Sequence, residues 1–172
     1  PTFLFSTPFF GNIQDAKAQF EFQWDQSSGY KKLKYLQREG RRNFRNKIYF
    51  FFRPVDRNNA LLKIELAIPK HFKSTLKTKN INFCRVKIGG FETRTKCLED
   101  IPADIEIKTD ESSLRKINIY PYSPIPTNKE SYAIVLKIIN PKKSGLYQFH
   151  TFGQPVGKSV KNYLGSSTIV ID

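Results

Sequence analysis

Across residues 131–139, Tyr132, Ile134, Leu136 and Ile138 alternate with Ala133, Val135 and Lys137. This is the two-residue repeat of a pleated strand, not the 3.6-residue repeat of a helix. One face is apolar from end to end, so the strand must bury it against a second layer. Asn140-Pro141 ends the run, and Gly153 with Pro155 bounds the next one, residues 145–152; such residues start turns or supply positive φ. That second run sets Tyr147 and Phe149 on one side and Leu146, Gln148 and His150 on the other. The last run, residues 167–172, is β-branched at Thr168, Ile169, Val170 and Ile171, which predicts a strand covered on both sides.

The same logic extends to the rest of the chain. Residues 19–24 put Phe20, Phe22 and Trp24 on one face, predicting a first strand, and residues 48–53 predict an aromatic one. Residues 61–68 predict a strand with Leu62, Ile64, Leu66 and Ile68 inward and Lys63 and Glu65 outward. Residues 81–88 and 91–97 flank Gly89-Gly90, a hairpin signal, and the strands predicted over 104–108 and 114–120 are joined by turn-forming TDESS. Residues 69–79 read as a short helical turn around His71 and Phe72. PYSPIPT reads as an extended crossing, because each Pro disfavours helix in the residue before it. Short strands at this spacing, punctuated by Gly and Pro, predict an all-β fold: an immunoglobulin-like antiparallel β-sandwich of about nine strands, with a closed β-barrel as the alternative. A chain of 172 residues buries roughly 70% of its unfolded surface, enough for a core without staples. Residues 19–172 are expected to form one such domain, with no apolar run reaching the roughly 18 residues of a membrane-spanning helix.

Residues 1–18, PTFLFSTPFFGNIQDAKA, read as the downstream part of a signal peptide: an apolar, uncharged stretch leads into Ala16-Lys17-Ala18, a small-x-small cleavage pattern. Asp15, Lys17 and Pro8 depart from that pattern, and an N-terminal strand or flexible arm is the alternative.

Lys and Arg number 29 against 15 Asp and Glu, a balance that attracts anions, whether acidic protein, acidic polysaccharide, anionic membrane surface or nucleic acid. The charge is densest over residues 28–47. There Lys31, Lys32, Lys34, Arg38, Arg41, Arg42, Arg45 and Lys47 face Glu39 alone, and these eight are the candidate anion-binding residues. Gly40 and the missing apolar face argue against a helix, so a loop or hairpin connection is expected. Tyr30, Tyr35, Phe44 and Tyr49 are interleaved with the cations as in single-strand nucleic-acid surfaces. A basic loop flanking aromatic strands produces the same pattern, and a plain solubilising surface accounts for the charge equally well.

Cys84 and Cys97 lie on opposite arms of the Gly89-Gly90 hairpin. In a perfect two-residue hairpin Cys84 faces Thr95, two residues short of Cys97, so a bridge requires a bulge, a longer loop or pairing across sheets. Export favours the disulfide; two separately buried thiols are the alternative. Without a CxxC or a neighbouring His the pair is not a metal site, and no P-loop, GxGxxG or HExxH implies a cofactor. His71 and His150 are the only imidazoles. His150 reads as a packing residue, no GxSxG elbow supplies a nucleophile, and Glu99, Asp100, Asp104 and Glu106 read as solvated groups. No catalytic residue is expected, and a hydrolase using His150 and nearby carboxylates is the remotest reading.

Four stretches carry a family resemblance: AQFEFQWDQSSGYKKLKY (residues 18–35), FFFRPVDR (50–57), CRVKIGGFETRTKCLEDIPADIEI (84–107), and PIPTNKESYAIVLKIINPKKSGLYQF followed by PVGKSVKNYLGS (124–166). Together they resemble the cyanobacterial domain-of-unknown-function 2808 family. The C-terminal half of that family runs Pro-hydrophobic-Pro, Asn-Pro, Gly-x-Tyr-x-Phe, then Tyr-Leu-Gly or Phe-Leu-Gly, and residues 124–165 follow it in order. These are turn and packing positions, and the family brings no agreed activity. The resemblance implies a small protein exported behind a signal peptide to the periplasm, the thylakoid lumen or the cell surface. The combined expectation is a non-enzymatic binding or accessory module that meets an acidic partner through residues 31–47, with a basic nucleic-acid-binding domain as the alternative.

Overall fold

The computed structural model describes residues 29–172; the strand predicted at 19–24 and the signal-like residues 1–18 lie outside them. The strands are β1 (Tyr35–Gln37), β2 (Arg45–Phe52), β3 (Leu61–Ile68), β4 (Ile81–Lys87), β5 (Lys96–Asp100), β6 (Ala103–Thr109), β7 (Arg115–Pro121), β8 (Tyr132–Ile139), β9 (Gly145–Pro155) and β10 (Asn162–Ile171). They form two five-stranded antiparallel sheets, ordered β1-β2-β8-β4-β5 and β10-β9-β3-β7-β6. The fold is an all-β sandwich, not a closed barrel.

Alternation explains what lies between the layers. Ile48, Phe50 and Phe52 of β2, Phe83 of β4 and Ile134 and Leu136 of β8 meet Ile64 and Leu66 of β3, Ile117 and Ile119 of β7, and Tyr147 and Phe149 of β9. Phe50 and Phe149 lie 5.0 Å apart across the layers, and Phe72 stands edge-on to Tyr147 and to Phe149, each at 5.0 Å. Fully burying a side chain of this size contributes about 1.5–3 kcal/mol. Tyr49, Phe51, Ala133, Val135, Cys84 and Val86, on the opposite face of the first sheet, form a second buried cluster, so β8 is apolar on both faces as far as Val135.

Three expected placements change. Leu62 is 40% exposed while Leu61 is buried, because an irregularity between Leu61 and Lys63 shifts the β3–β9 register. Glu65 keeps to the outward face but is buried, its carboxylate taking Lys161 Nζ at 2.6 Å. Val170 is 43% exposed, so β10 is not covered on both sides.

Gly89-Gly90 is not a two-residue hairpin either. The β4–β5 connection runs over residues 88–95, with Gly90 N–H donating to the Thr93 carbonyl at 3.0 Å, and β5 begins only at Lys96. A Cβ at Gly89 would lie 2.3 Å from the Thr93 carbonyl oxygen, so the loop closes only around glycine. This longer loop and a register shift between Arg85 and Val86 carry the arms past that register, setting Cys97 opposite Val86 and Asp100 opposite Cys84, so the two cysteines meet on a diagonal of the ladder. Cys84 and Cys97 form a disulfide, with Cα atoms 5.7 Å apart.

The basic segment is a strap over the seam between the sheets. Leu33 N–H donates to the Ser166 carbonyl and Ser166 N–H to the Lys31 carbonyl, both at 2.7 Å. The chain then crosses to pair with β2 as β1. Gly165 permits the approach: its φ is +146°, and a Cβ there would lie 2.5 Å from the Lys31 carbonyl oxygen.

Candidate functional site: the basic end of the sandwich

β2 begins where β8 ends, with Arg45 paired to Ile139, so the β1–β2 loop (residues 38–44) and the β8–β9 loop (140–144) leave the sheet together. The β3–β4 connection (69–80) joins them, because Ser74 Oγ–H donates to the Ile139 carbonyl at 2.7 Å. Asn140 pins the group. Its Nδ2 donates to the carbonyls of Glu39 (3.1 Å) and Arg41 (2.8 Å), and its Oδ1 accepts from Asn46 Nδ2 at 2.9 Å. Arg115, half-buried, donates from Nη1 to the Ser74 carbonyl at 2.7 Å and from Nη2 to the Phe72 carbonyl; burial pulls its pKa below the usual arginine value. Arg42 donates through its N–H and Nε to the Asp172 carbonyl, each at 3.1 Å.

These loops are strongly basic. Arg38, Arg41, Arg42, Lys70, Lys73, Lys77, Lys79, Lys142 and Lys143 all lie on them. Glu39, the acidic residue among them, is already paired with Arg41 at 2.8 Å. The hydrogen bond from the Arg41 side chain, reinforced by its backbone N–H, holds the Glu39 carboxyl down to about 2.

A cleft opens within this end because β8 outruns β4. The last β4–β8 pair is Ile81 with Leu136, so the segment from Thr75 to Asn80 stands off the final residues of β8. The gap is a cavity of about 500 Å³ lined by Arg45, Asn46, Thr75, Lys77, Lys79, Asn80, Lys137, Ile138 and Ile139. Beside it Lys47 faces Lys137 directly across the ladder, with its Nζ 5.0 Å from the centre of the Tyr49 ring. Among the described residues Arg45, Lys47, Lys77, Lys79 and Lys137 form no ion pair. Like charges facing each other across a ladder destabilise it. A wall of cations without a carboxylate concentrates positive potential that an anion would relieve.

Residues 20–171 match a family model described as "Protein of unknown function (DUF2808)". The chain belongs to the DUF2808 family. No curated protein matches this DUF2808 chain. Among solved structures it is similar to the collagen-binding subdomain of the Enterococcus faecalis surface protein ACE, at 9% identity and a TM-score of 0.44, over 82% of this chain and 97% of that one. It is similar to the bacterial hydrophobin BslA at 13% identity and a TM-score of 0.49, over 82% and 91%. It is also similar to the collagen-binding domain of a Staphylococcus aureus adhesin at 13% identity and a TM-score of 0.42, over 81% and 95%. At such identities and scores, none of these carries a ligand or a mechanism over to the DUF2808 chain.

The eight cations expected to act together are divided by the fold. Arg38, Arg41, Arg42 and Arg45 lie at the basic end with Lys47 just inside it, but Lys31, Lys32 and Lys34 belong to the strap near the opposite end. There Lys31 Nζ donates to the Val55 carbonyl at 3.3 Å and the Lys34 carbonyl accepts from Phe51 N–H at 3.0 Å. Arg38 Nη2 instead reaches the Thr95 carbonyl at 3.3 Å. Sequence reasoning missed Lys77, Lys79 and Lys137, which complete the cleft. The lysine-rich stretch KHFKSTLKTK (70–79) was the available signal; nothing local shows which end of the sandwich it joins.

The interleaved aromatics do not form a row of free rings. Tyr49 is buried, Tyr35 packs against the core, and Arg41 lies 4.0 Å above the Phe44 ring. His150 Nδ1 is 2.6 Å from the buried Ser166 Oγ, which is also 2.6 Å from the Tyr163 hydroxyl. The cavity of about 390 Å³ that His150 shares with His71 has no carboxylate in its lining. Glu99 pairs with Arg85 at 3.2 Å, Glu106 with Lys108 at 2.8 Å, and Asp100 accepts from Asn82 at 2.7 Å, all at the surface. Among the described residues no group of three or more His, Cys, Asp or Glu could hold a metal, and no helix is long and apolar enough to cross a membrane.

Proposed function

We propose that this protein is an extracytoplasmic, non-enzymatic binding module that docks an acidic partner, protein or polysaccharide, on the basic end of its sandwich. In a cyanobacterial cell the setting would be the periplasm, the thylakoid lumen or the cell surface. The observation that carries this reading is the convergence of three separate loops, tied through Asn140 and Ser74, around a cleft lined by four cations and no carboxylate. A disulfide persists where thiols are oxidised, which supports the compartment, as does the signal-like stretch at 1–18. Nucleic acid is a weaker fit, since its single strands need free rings to stack on.

The test is binding to immobilised heparin and to polyglutamate across a salt series, with and without Arg41→Gln, Arg42→Gln and Arg45→Gln combined. Screening shortens from about 10 Å at 0.1 M to about 3 Å at 1 M, so affinity should fall steeply with salt and at least about tenfold on the triple substitution. Affinity retained at high salt, or indifferent to the substitutions, rejects the reading. Recovery of the protein in the cytoplasmic fraction rejects the setting.

A further inference from the structure

We infer that the cleft between the end of β8 and residues 75–80 is a subsite for an acidic saccharide, one sugar ring bearing a carboxylate or sulfate. This rests on the basic end being the docking surface and goes further, naming what the cleft itself selects.

Its walls carry three kinds of chemistry. Arg45, Lys77, Lys79 and Lys137 supply charge. Thr75 and Asn80 supply a hydroxyl and an amide whose side chains make no hydrogen bond among the described residues. Ile139, 56% exposed, supplies an apolar surface directly opposite Arg45 in the ladder. An inorganic anion would use only the first of these, and a flexible acidic peptide could use the first anywhere on the loops. A sugar acid presents an anionic group, a rim of hydroxyls and an apolar C–H face on one rigid ring, and so uses all three.

Size agrees. At about 500 Å³ the cleft falls within the roughly 300–1,000 Å³ of small-molecule sites, room for a substituted sugar ring and more than a bare anion needs. The walls are also held before any ligand arrives: Ser74 Oγ is bound to the Ile139 carbonyl and Arg115 to the Ser74 and Phe72 carbonyls. Less ordering entropy is then lost on binding.

The experiment is titration calorimetry on the full chain at physiological salt. The probes are a trigalacturonate, a sulfated disaccharide, a neutral trisaccharide, inorganic sulfate and a hexaglutamate peptide. Thr75→Ala with Asn80→Ala removes the uncommitted polar groups without touching charge. It should weaken binding of whichever acidic saccharide is taken by about tenfold, as the loss of two hydrogen bonds predicts, and leave hexaglutamate unchanged. Unchanged hexaglutamate binding also shows that the variant is folded. Lys79→Gln with Lys137→Gln should weaken the saccharide more than Arg41→Gln with Arg42→Gln does. Carboxylate and sulfate sources separate by which of the two acidic probes binds. Saccharide binding that ignores Thr75→Ala with Asn80→Ala, or a neutral trisaccharide binding equally well, overturns the proposal while leaving the basic end intact. If none of the polyanions binds, the basic-end reading fails and this one with it.

Discussion

Asn140→Ala separates a pinned basic surface from a set of independent loops. Asn140 is 2% exposed. Its Nδ2 bonds the Glu39 and Arg41 carbonyls at 3.1 and 2.8 Å, and its Oδ1 accepts from Asn46 Nδ2 at 2.9 Å. Alanine removes all three bonds and strands the amide of Asn46, itself only 5% exposed. A satisfied hydrogen bond contributes about 1 kcal/mol net and a stranded buried donor costs about 1–3 kcal/mol. The two carbonyls sit nearer the rim and recover water, so the expected loss is about 2–4 kcal/mol rather than the full sum. In a chain of this length each kcal/mol moves Tm by about 2–4 °C, so a fall of about 5–15 °C is expected. Urea unfolding with the disulfide intact should show a lower midpoint with an unchanged slope. Polyanion affinity should fall severalfold although no cation is removed, because the β1–β2 loop must then be ordered by the ligand. Stability within about 0.5 kcal/mol of wild type, the range of an ordinary surface change, would refute the pinning. So would a destabilised variant that binds polyanion unchanged.

Two further outcomes are expected. Reducing the Cys84–Cys97 bridge, which closes a loop with a sequence separation of 13, should lower unfolding free energy by about 3 kcal/mol; parallel denaturation curves with and without reductant measure it, and a difference under about 1 kcal/mol contradicts the expectation. The Glu39 carboxyl should titrate at about 2 rather than at its ordinary 4.5, as read by carbon-13 NMR. Because the folded value lies below the unfolded one, the pair's contribution is present above the ordinary value and lost as pH falls toward about 2. Arg41→Gln should move the midpoint back up, and a wild-type midpoint near the ordinary value disproves the pairing.

What was legible in the sequence was whatever depends on neighbours along the chain. The period of residues 131–139 identifies β8 and its buried face because pleating is a property of successive residues. Where a single residue is inserted or slipped, that legibility stops. The irregularity at Leu61/Lys63 turns Leu62 outward, and the shift at Arg85/Val86 together with the long β4–β5 loop sets Cys97 opposite Val86, within diagonal reach of Cys84. Both depend on the partner strand, and a register slip of one residue reverses every side chain beyond it.

The basic site shows the same divide. Contiguity joined Lys31, Lys32 and Lys34 to Arg38, Arg41, Arg42 and Arg45, but pairing of the strap with β10 at one end and β1 with β2 beyond it carries the two groups apart. Lys77, Lys79 and Lys137 each look like an ordinary solvated lysine in sequence. They become a cleft only because β8 continues past its last pairing with β4 and the β3–β4 connection is tied back to it by Ser74. Charge density along a β-chain is therefore a poor guide to charge density in space. Successive strands run in opposite directions, so positions one strand length apart lie at opposite ends while loops two strands apart become neighbours. For this protein the consequence is specific: neutralising Lys31, Lys32 and Lys34 should affect anion binding less than neutralising Lys77, Lys79 and Lys137, although the first set lies in the denser run.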